Sequence, residues 1–174
     1  MSVSIIDAMV DPYLFGATSG GSSHAAWGAL LAGFYGLPLD TAEAGTFKAL
    51  TGRTETPQEA ANELWLEIGR RGRKSHLSAL IASYEAAFQD HRGKLAAGEW
   101  ATVMLMAADR AQARALKRNV RGFFEHPMLR PMVTRETANG PEFSNRCVVE
   151  VGTASFPSLR GYTLAAAMCD EITF

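Results

Sequence analysis

Gly69-Arg70-Arg71-Gly72-Arg73-Lys74-Ser75 is the stretch on which the reading of this 174-residue chain turns. A short apolar run, Leu64, Leu66 and Ile68, precedes it, and a helical pattern begins near Lys74. Strand, glycine-bearing turn, Lys-Ser and helix is the layout by which a nucleotide-binding loop cradles phosphates: backbone N–H groups face the anion, the lysine reaches the terminal phosphates and the hydroxyl meets magnesium. The usual rule places glycine just before the lysine and another at the position of Ile68, and here the first is Arg73. If the turn needs positive φ at 73, an arginine there carries about 1–2 kcal/mol of strain. The alternative reading of the stretch is a solvated basic turn.

The bulk numbers bound the answer. At 47% hydrophobic content the chain can bury one substantial core. With 17 basic against 18 acidic residues, nonspecific nucleic-acid binding by the whole surface is disfavoured and a local basic patch is permitted. Cys147 and Cys169 lie far apart without close Cys or His partners, so they read as reduced, mostly buried thiols, not as a disulfide framework or metal site. Ala25 to Leu37 is interrupted by glycines and is shorter than the ~20 residues a span needs. The N-terminus lacks a basic start followed by an apolar core. The chain reads as a soluble cytosolic protein.

Outward from the loop, periodicity places the elements. Ser22 or Ser23 can cap a helix through Trp27, Leu30, Leu31 and Phe34, ended by Gly36 and Pro38, and a second helix fits Thr41 to Leu50 with Gly52 as its stop. Leu64 to Ile68 suits a buried strand, although Glu67 is out of character there. Leu77, Leu80, Ile81, Tyr84 and Phe88 form one helix face. Thr102 to Met106 is a second buried strand, and Asp109 with Gln112 makes a capping pair for a helix carrying Ala113, Leu116, Val120, Phe123 and Phe124. Strand, helix, strand, helix predicts a parallel sheet flanked by helices. Further strands fit Met132 to Arg135, Glu142 to Ser144 and Cys147 to Val151, with a turn at Asn139-Gly140. Tyr162 to Phe174 is ambiguous, because Ala165 to Ala167 favour helix by propensity.

Asp170-Glu171 comes directly after the apolar Leu164 to Cys169. Taken alone, two adjacent acids near a chain end read as a solvated turn. At the end of a buried run they are the chemical partner a phosphate loop requires, one carboxylate supporting magnesium and the next taking a proton from the attacking water.

With these stretches in order, the sequence resembles the ATPase half of the large terminase subunit of tailed bacteriophages, the motor that packages DNA. The resemblance is carried by Thr51-Gly52-Arg53, Leu64-Trp65, the loop at 69–75, Ala107-Ala108-Asp109-Arg110-Ala111-Gln112-Ala113, Thr153-Ala154-Ser155, Arg160-Gly161-Tyr162-Thr163 and Cys169-Asp170-Glu171-Ile172-Thr173-Phe174. It implies an α/β, P-loop NTPase-like three-layer fold with a largely parallel sheet, incomplete at its C-terminal end. A helical extension would occupy 1–50 and the ATPase domain 51–174.

It further implies ATP and Mg2+ as cofactors, with Gly69, Arg70, Arg71, Gly72, Arg73, Lys74 and Ser75 as the loop. Lys74 would contact the β- and γ-phosphates, Ser75 and Asp170 would hold the metal, and Glu171 would activate water. Arg70 would answer the γ-phosphate in its own subunit, Arg160 would reach a neighbouring subunit's ATP, and Arg53 would lie near the base. Arg71 reads more simply as a solvated or DNA-contacting residue, and Arg160 has an acid pairing as its alternative. Implied partners are double-stranded DNA, a portal protein, a small terminase subunit and further copies in a ring, in the bacterial cytoplasm and transiently at the procapsid portal. A complete member continues into further strands and a nuclease domain, so the chain reads as a truncated product, a split gene's first piece or a cloned domain. The rival expectations are an interaction module that keeps the fold but not the site, and a DNA-binding fragment using the Arg70–Lys74 cluster.

His76, one residue past Ser75, reads as a surface histidine at a helix start, and His24, His91 and His126 have no partners at metal-ligand spacing. Trp27, Trp65 and Trp100 read as core or lid residues.

Overall fold

The computed structural model describes residues 3–19, 24–69, 71–153 and 161–171. Its internal contacts divide the chain into two units, Met1–Gly72 and Arg73–Phe174.

The first unit is helical: α1 (Ile5–Val10), α2 (Gly16–Ser19), α3 (His24–Phe34) and α4 (Thr41–Thr51). Side-chain capping sets two of its helix starts. Ser4 and Asp7 form a reciprocal capping box on α1, and Asp40 and Glu43 form one on α4. Gly52 ends α4 in the left-handed region at φ 68°, where a side chain would be strained. Gly33 lets the two longer helices meet, since a Cβ there would lie 2.3 Å from the Phe47 ring. The helices expected from Trp27 to Phe34 and from Thr41 to Leu50 are both present.

Leu64 to Ile68 is not a strand. The segment has no regular structure, with Trp65 71% exposed and Leu66 40% exposed. Strand formation requires a ladder partner and a face to bury, and this run, broken by Glu67, has neither among the described strands. Trp65 is therefore neither core nor, by its burial, a covered lid residue, and Trp100 is also exposed.

The second unit is α/β. It contains α5 (Lys74–Phe88), β1 (Ala101–Ala107), α6 (Arg110–Phe123), β2 (Val133–Glu136), β3 (Pro141–Phe143), β4 (Cys147–Thr153) and β5 (Thr163–Cys169). The five strands form one mixed, mostly parallel sheet in the order β2-β3-β4-β1-β5. β1 runs parallel to β4, Ala101 opposite Cys147, and parallel to β5, Ala101 opposite Thr163. β3 is antiparallel to β2 and to β4. The turn before β3 packs tightly, for a Cβ on Gly140 would meet the Val149 carbonyl oxygen at 2.1 Å.

The core matches the predicted faces of α5, α6, β1 and β4, but the apolar run Leu164 to Cys169, expected to be buried, is largely exposed because β5 lies at the edge of the sheet. Leu80, Leu105, Leu116, Val103, Val120, Phe123 and Val149 are at most 2% exposed. Along β1 all residues but Met106 are buried, as expected of an interior strand with a parallel neighbour on each side. The ambiguous last segment resolves as β5: ladder bonds to β1 outweigh the helix preference of its alanines. Cys147 is buried as expected, but Cys169, at the end of the edge strand β5, is exposed.

Candidate phosphate and metal site

Parallel strands deliver their C-terminal ends to one edge of a sheet, the place where α/β folds gather ligand-binding groups. In this sheet β1 ends at Ala107 and the adjacent β5 at Cys169. Both strands lead into polar residues. After β1, Asp109 caps α6, its carboxylate accepting from the N–H groups of Ala111 at 2.7 Å and Gln112 at 2.8 Å. After β5, Asp170 donates its N–H to the Met106 carbonyl at 2.8 Å, which extends the pairing with β1 by one residue.

The first turn of α5 meets these ends. Ser75 donates its hydroxyl to Asp170 Oδ2 at 2.6 Å, and Lys74 Nζ lies 2.5 Å from Glu171 Oε1. Gln112 Nε2 donates to the other oxygen of Glu171, Oε2, at 2.7 Å. Asp170 is only 6% exposed, so its carboxylate works in a largely dry setting, whereas Lys74 and Glu171 are each more than a third exposed. The Lys74 and Gln112 hydrogen bonds, and behind them the lysine charge, hold the Glu171 carboxyl below its ordinary range. Glu171 itself sits at φ 60°, a left-handed position that is costly for a side-chain-bearing residue and is kept where the surroundings over-determine it.

Four of the residues expected at the site, Lys74, Ser75, Asp170 and Glu171, are thus brought together. Arg73, next to them in sequence, is the N-cap of α5 at φ 61° and makes no side-chain cap, so a non-glycine residue does hold the strained positive φ at this turn. Arg71 has the same conformation at φ 66°. Gly69, Arg71, Gly72 and Arg53 belong to the first unit. There the Gly72 N–H bonds back to the Gly69 carbonyl at 3.2 Å, closing a turn, and Arg53 is exposed just past the end of α4. Arg70 and Arg160 lie outside the described residues.

Two residues play parts that sequence reasoning missed. Gln112 does not complete a reciprocal cap with Asp109; its side chain reaches Glu171, and its Oε1 is buried without a hydrogen-bond partner. The signal available in advance was only its place in the first turn after a strand, which any polar residue could occupy. His76 is not a surface histidine. Its ring packs on Phe123 with centroids 5.1 Å apart, and its Nε2 is buried without a partner. Burial, reinforced by the Arg73 charge, lowers its pKa.

The donor set suits a hard cation. One hydroxyl and one carboxylate oxygen are what magnesium takes from a protein when it keeps waters and binds substrate phosphates. No group of three or more His, Cys, Asp or Glu side chains that could cage a metal occurs among the described residues. Nor is any helix among them long and apolar enough to cross a membrane. Compared with protein-family models, curated proteins and solved structures, the chain matches none.

Proposed function

We propose that the second unit is a P-loop NTPase-like domain that binds Mg-ATP and positions water for its hydrolysis, as the ATPase part of a phage large terminase subunit that drives double-stranded DNA into a capsid. The observation that carries this reading is the convergence of Lys74-Ser75 with Asp170-Glu171. It pairs residues 95 and 97 positions apart in sequence, hydroxyl to carboxylate and ammonium to carboxylate, at the C-terminal edge of a parallel sheet.

Each side chain then has a task. Lys74 balances charge on the β- and γ-phosphates, and the first N–H groups of α5, which have no side-chain cap, add donors for the same anion. Ser75 and Asp170 would hold magnesium, which when bound neutralises phosphate charge and fixes the phosphate geometry. Glu171 accepts a proton from the attacking water, and Gln112 holds its far oxygen so that the near one faces the reaction. Glu171 is tied to Lys74, and its basicity is suppressed. Phosphates that draw Lys74 away release Glu171 to act as a base, so substrate itself arms the site. Arg70 and Arg160 keep the roles the resemblance implies, toward the γ-phosphate and toward a neighbouring subunit. A portal protein, a small terminase subunit and a ring of copies are the corresponding partners, in the bacterial cytoplasm.

The test is titration of the protein with mant-labelled ATP, with and without magnesium. Saturable, magnesium-dependent binding that Lys74→Ala abolishes is the expected result; no saturable binding by the unaltered chain overturns the reading. A second reading, a domain that keeps the fold without the chemistry, is favoured by Arg73 in a left-handed turn and by the absence of a strand at Leu64 to Ile68. It predicts ATP binding only after Arg73→Gly.

A further inference from the structure

Helix α6 carries five of the chain's 17 basic residues and no acid: Arg110, Arg114, Lys117, Arg118 and Arg121. Steps of three and four residues place them on one side of the helix, opposite the buried Leu116, Val120 and Phe123. Two have local partners. Lys117 donates to the carbonyls of Thr137 at 3.2 Å and Ala138 at 2.5 Å, and Arg121 lies 3.8 Å from Glu136. Arg110, Arg114 and Arg118 are exposed, and none forms an ion pair among the described residues. In a chain of net charge -1, such a row of arginines is a local feature and not a consequence of overall basicity.

We infer that this face of α6 docks on the phosphate backbone of duplex DNA, independently of the nucleotide site. From Arg110 to Arg121 the row is about 16 Å long at 1.5 Å rise per residue, and a duplex presents roughly one negative charge per 1.7 Å of axis over that length. Guanidinium forks match phosphate oxygens bidentately. The chemistry selects the ligand further. The only aromatic residue of α6, Phe123, is buried, so the helix has no platform for stacking unpaired bases and favours duplex over single strand. A row of cations with no amide or acid beside it serves chiefly the backbone phosphates, which carry no sequence information. The Arg70–Lys74 cluster is the weaker candidate, because Lys74 is already paired with Glu171.

The experiment is fluorescence anisotropy of a labelled mixed-sequence duplex of about 30 base pairs, with the full chain, across roughly 50–200 mM NaCl. Each phosphate neutralised contributes about 0.9 to the slope of log affinity against log salt. Changing Arg110, Arg114 and Arg118 together to Gln therefore flattens the slope by about 2.7 and weakens binding more than tenfold at the lowest salt. All three are exposed, so the thermal melt stays in place, and the matching triple Lys variant keeps most of the slope. An unchanged slope in the Gln variant overturns the inference. So does no duplex binding by the unaltered chain, or binding lost in Arg71→Gln/Arg73→Gln but kept in the α6 variant. Preference for phosphatidylserine vesicles over duplex also overturns it and reassigns the face to a membrane surface. Mant-ATP binding is unaffected by the α6 changes, which keeps failure here separate from failure of the nucleotide reading.

Discussion

Arginine at 73 stands where a phosphate loop usually has glycine, and its backbone sits at φ 61°, ψ 26°, as the N-cap of α5. Comparing Arg73→Gly with Arg73→Ala separates backbone from side chain, because both remove the guanidinium and only glycine relieves the left-handed turn. A non-glycine residue in that region costs about 1–2 kcal/mol. Against this, glycine loosens the unfolded chain by about 0.4–1 kcal/mol relative to alanine. The glycine variant should therefore exceed the alanine variant in stability by about 0.5–1 kcal/mol. For a chain of this size that corresponds to a melting difference of roughly 1–4 °C. Thermal unfolding followed by circular dichroism measures it, with urea midpoints as a check. An alanine variant as stable as the glycine variant would show that position 73 is not held left-handed and would remove the backbone argument for impaired phosphate approach. In mant-ATP titrations the same pair should rank glycine above alanine, since a bare backbone lets phosphate come closer.

The geometry sets three other outcomes. Lys74→Met should move the Glu171 carboxyl back up toward its ordinary range by more than Gln112→Leu does, because the lysine is the larger cause of its depression; carboxyl-carbon NMR titration reads this, and a larger effect from Gln112 would contradict it. His76 has a folded pKa below its ordinary 6.5, so it binds fewer protons folded than unfolded, and stability is lost as pH falls from about 6.5 toward the lowered value. Denaturant titrations of His76→Leu should show less of that acid loss than the unaltered chain, and parallel pH profiles would refute the assignment. Burial pushes the Cys147 thiol up to about 12, whereas Cys169 is exposed. A chromogenic disulfide reagent should therefore label one thiol in the native protein, lost in Cys169→Ser, and both in denaturant; rapid native labelling of Cys147 would contradict its burial.

Local signals in the sequence were enough to place most helices and several strands. Asp40, Gly52 and Asp109 each act through groups a few residues away, so their effects are written in short stretches of chain. The face Leu77, Leu80, Ile81 and Tyr84 is buried because a 3.6-residue period fixes which side chains share a side. The acids at 170 and 171 could be singled out beside the Lys-Ser turn because the chemistry of phosphate limits which residue types can serve it.

Other features depended on neighbours that no local pattern names. The alanine-rich segment became β5 because β1 offered it a ladder, and Leu64 to Ile68 stayed irregular because none of the described strands did. Gln112 and His76 acquired their surroundings from Glu171, just past β5, and from Phe123 of α6, residues distant from each in sequence. The sequence by itself determined most of the elements, the apolar faces and the candidate acids and cations, since these come from short-range geometry and residue chemistry. Only the tertiary structure decided which strands pair, that Ser75 meets Asp170 and Lys74 meets Glu171, and that three arginines of α6 form no ion pair among the described residues. Those outcomes rest on long-range packing, where burial and ladder hydrogen bonds outweigh local preference.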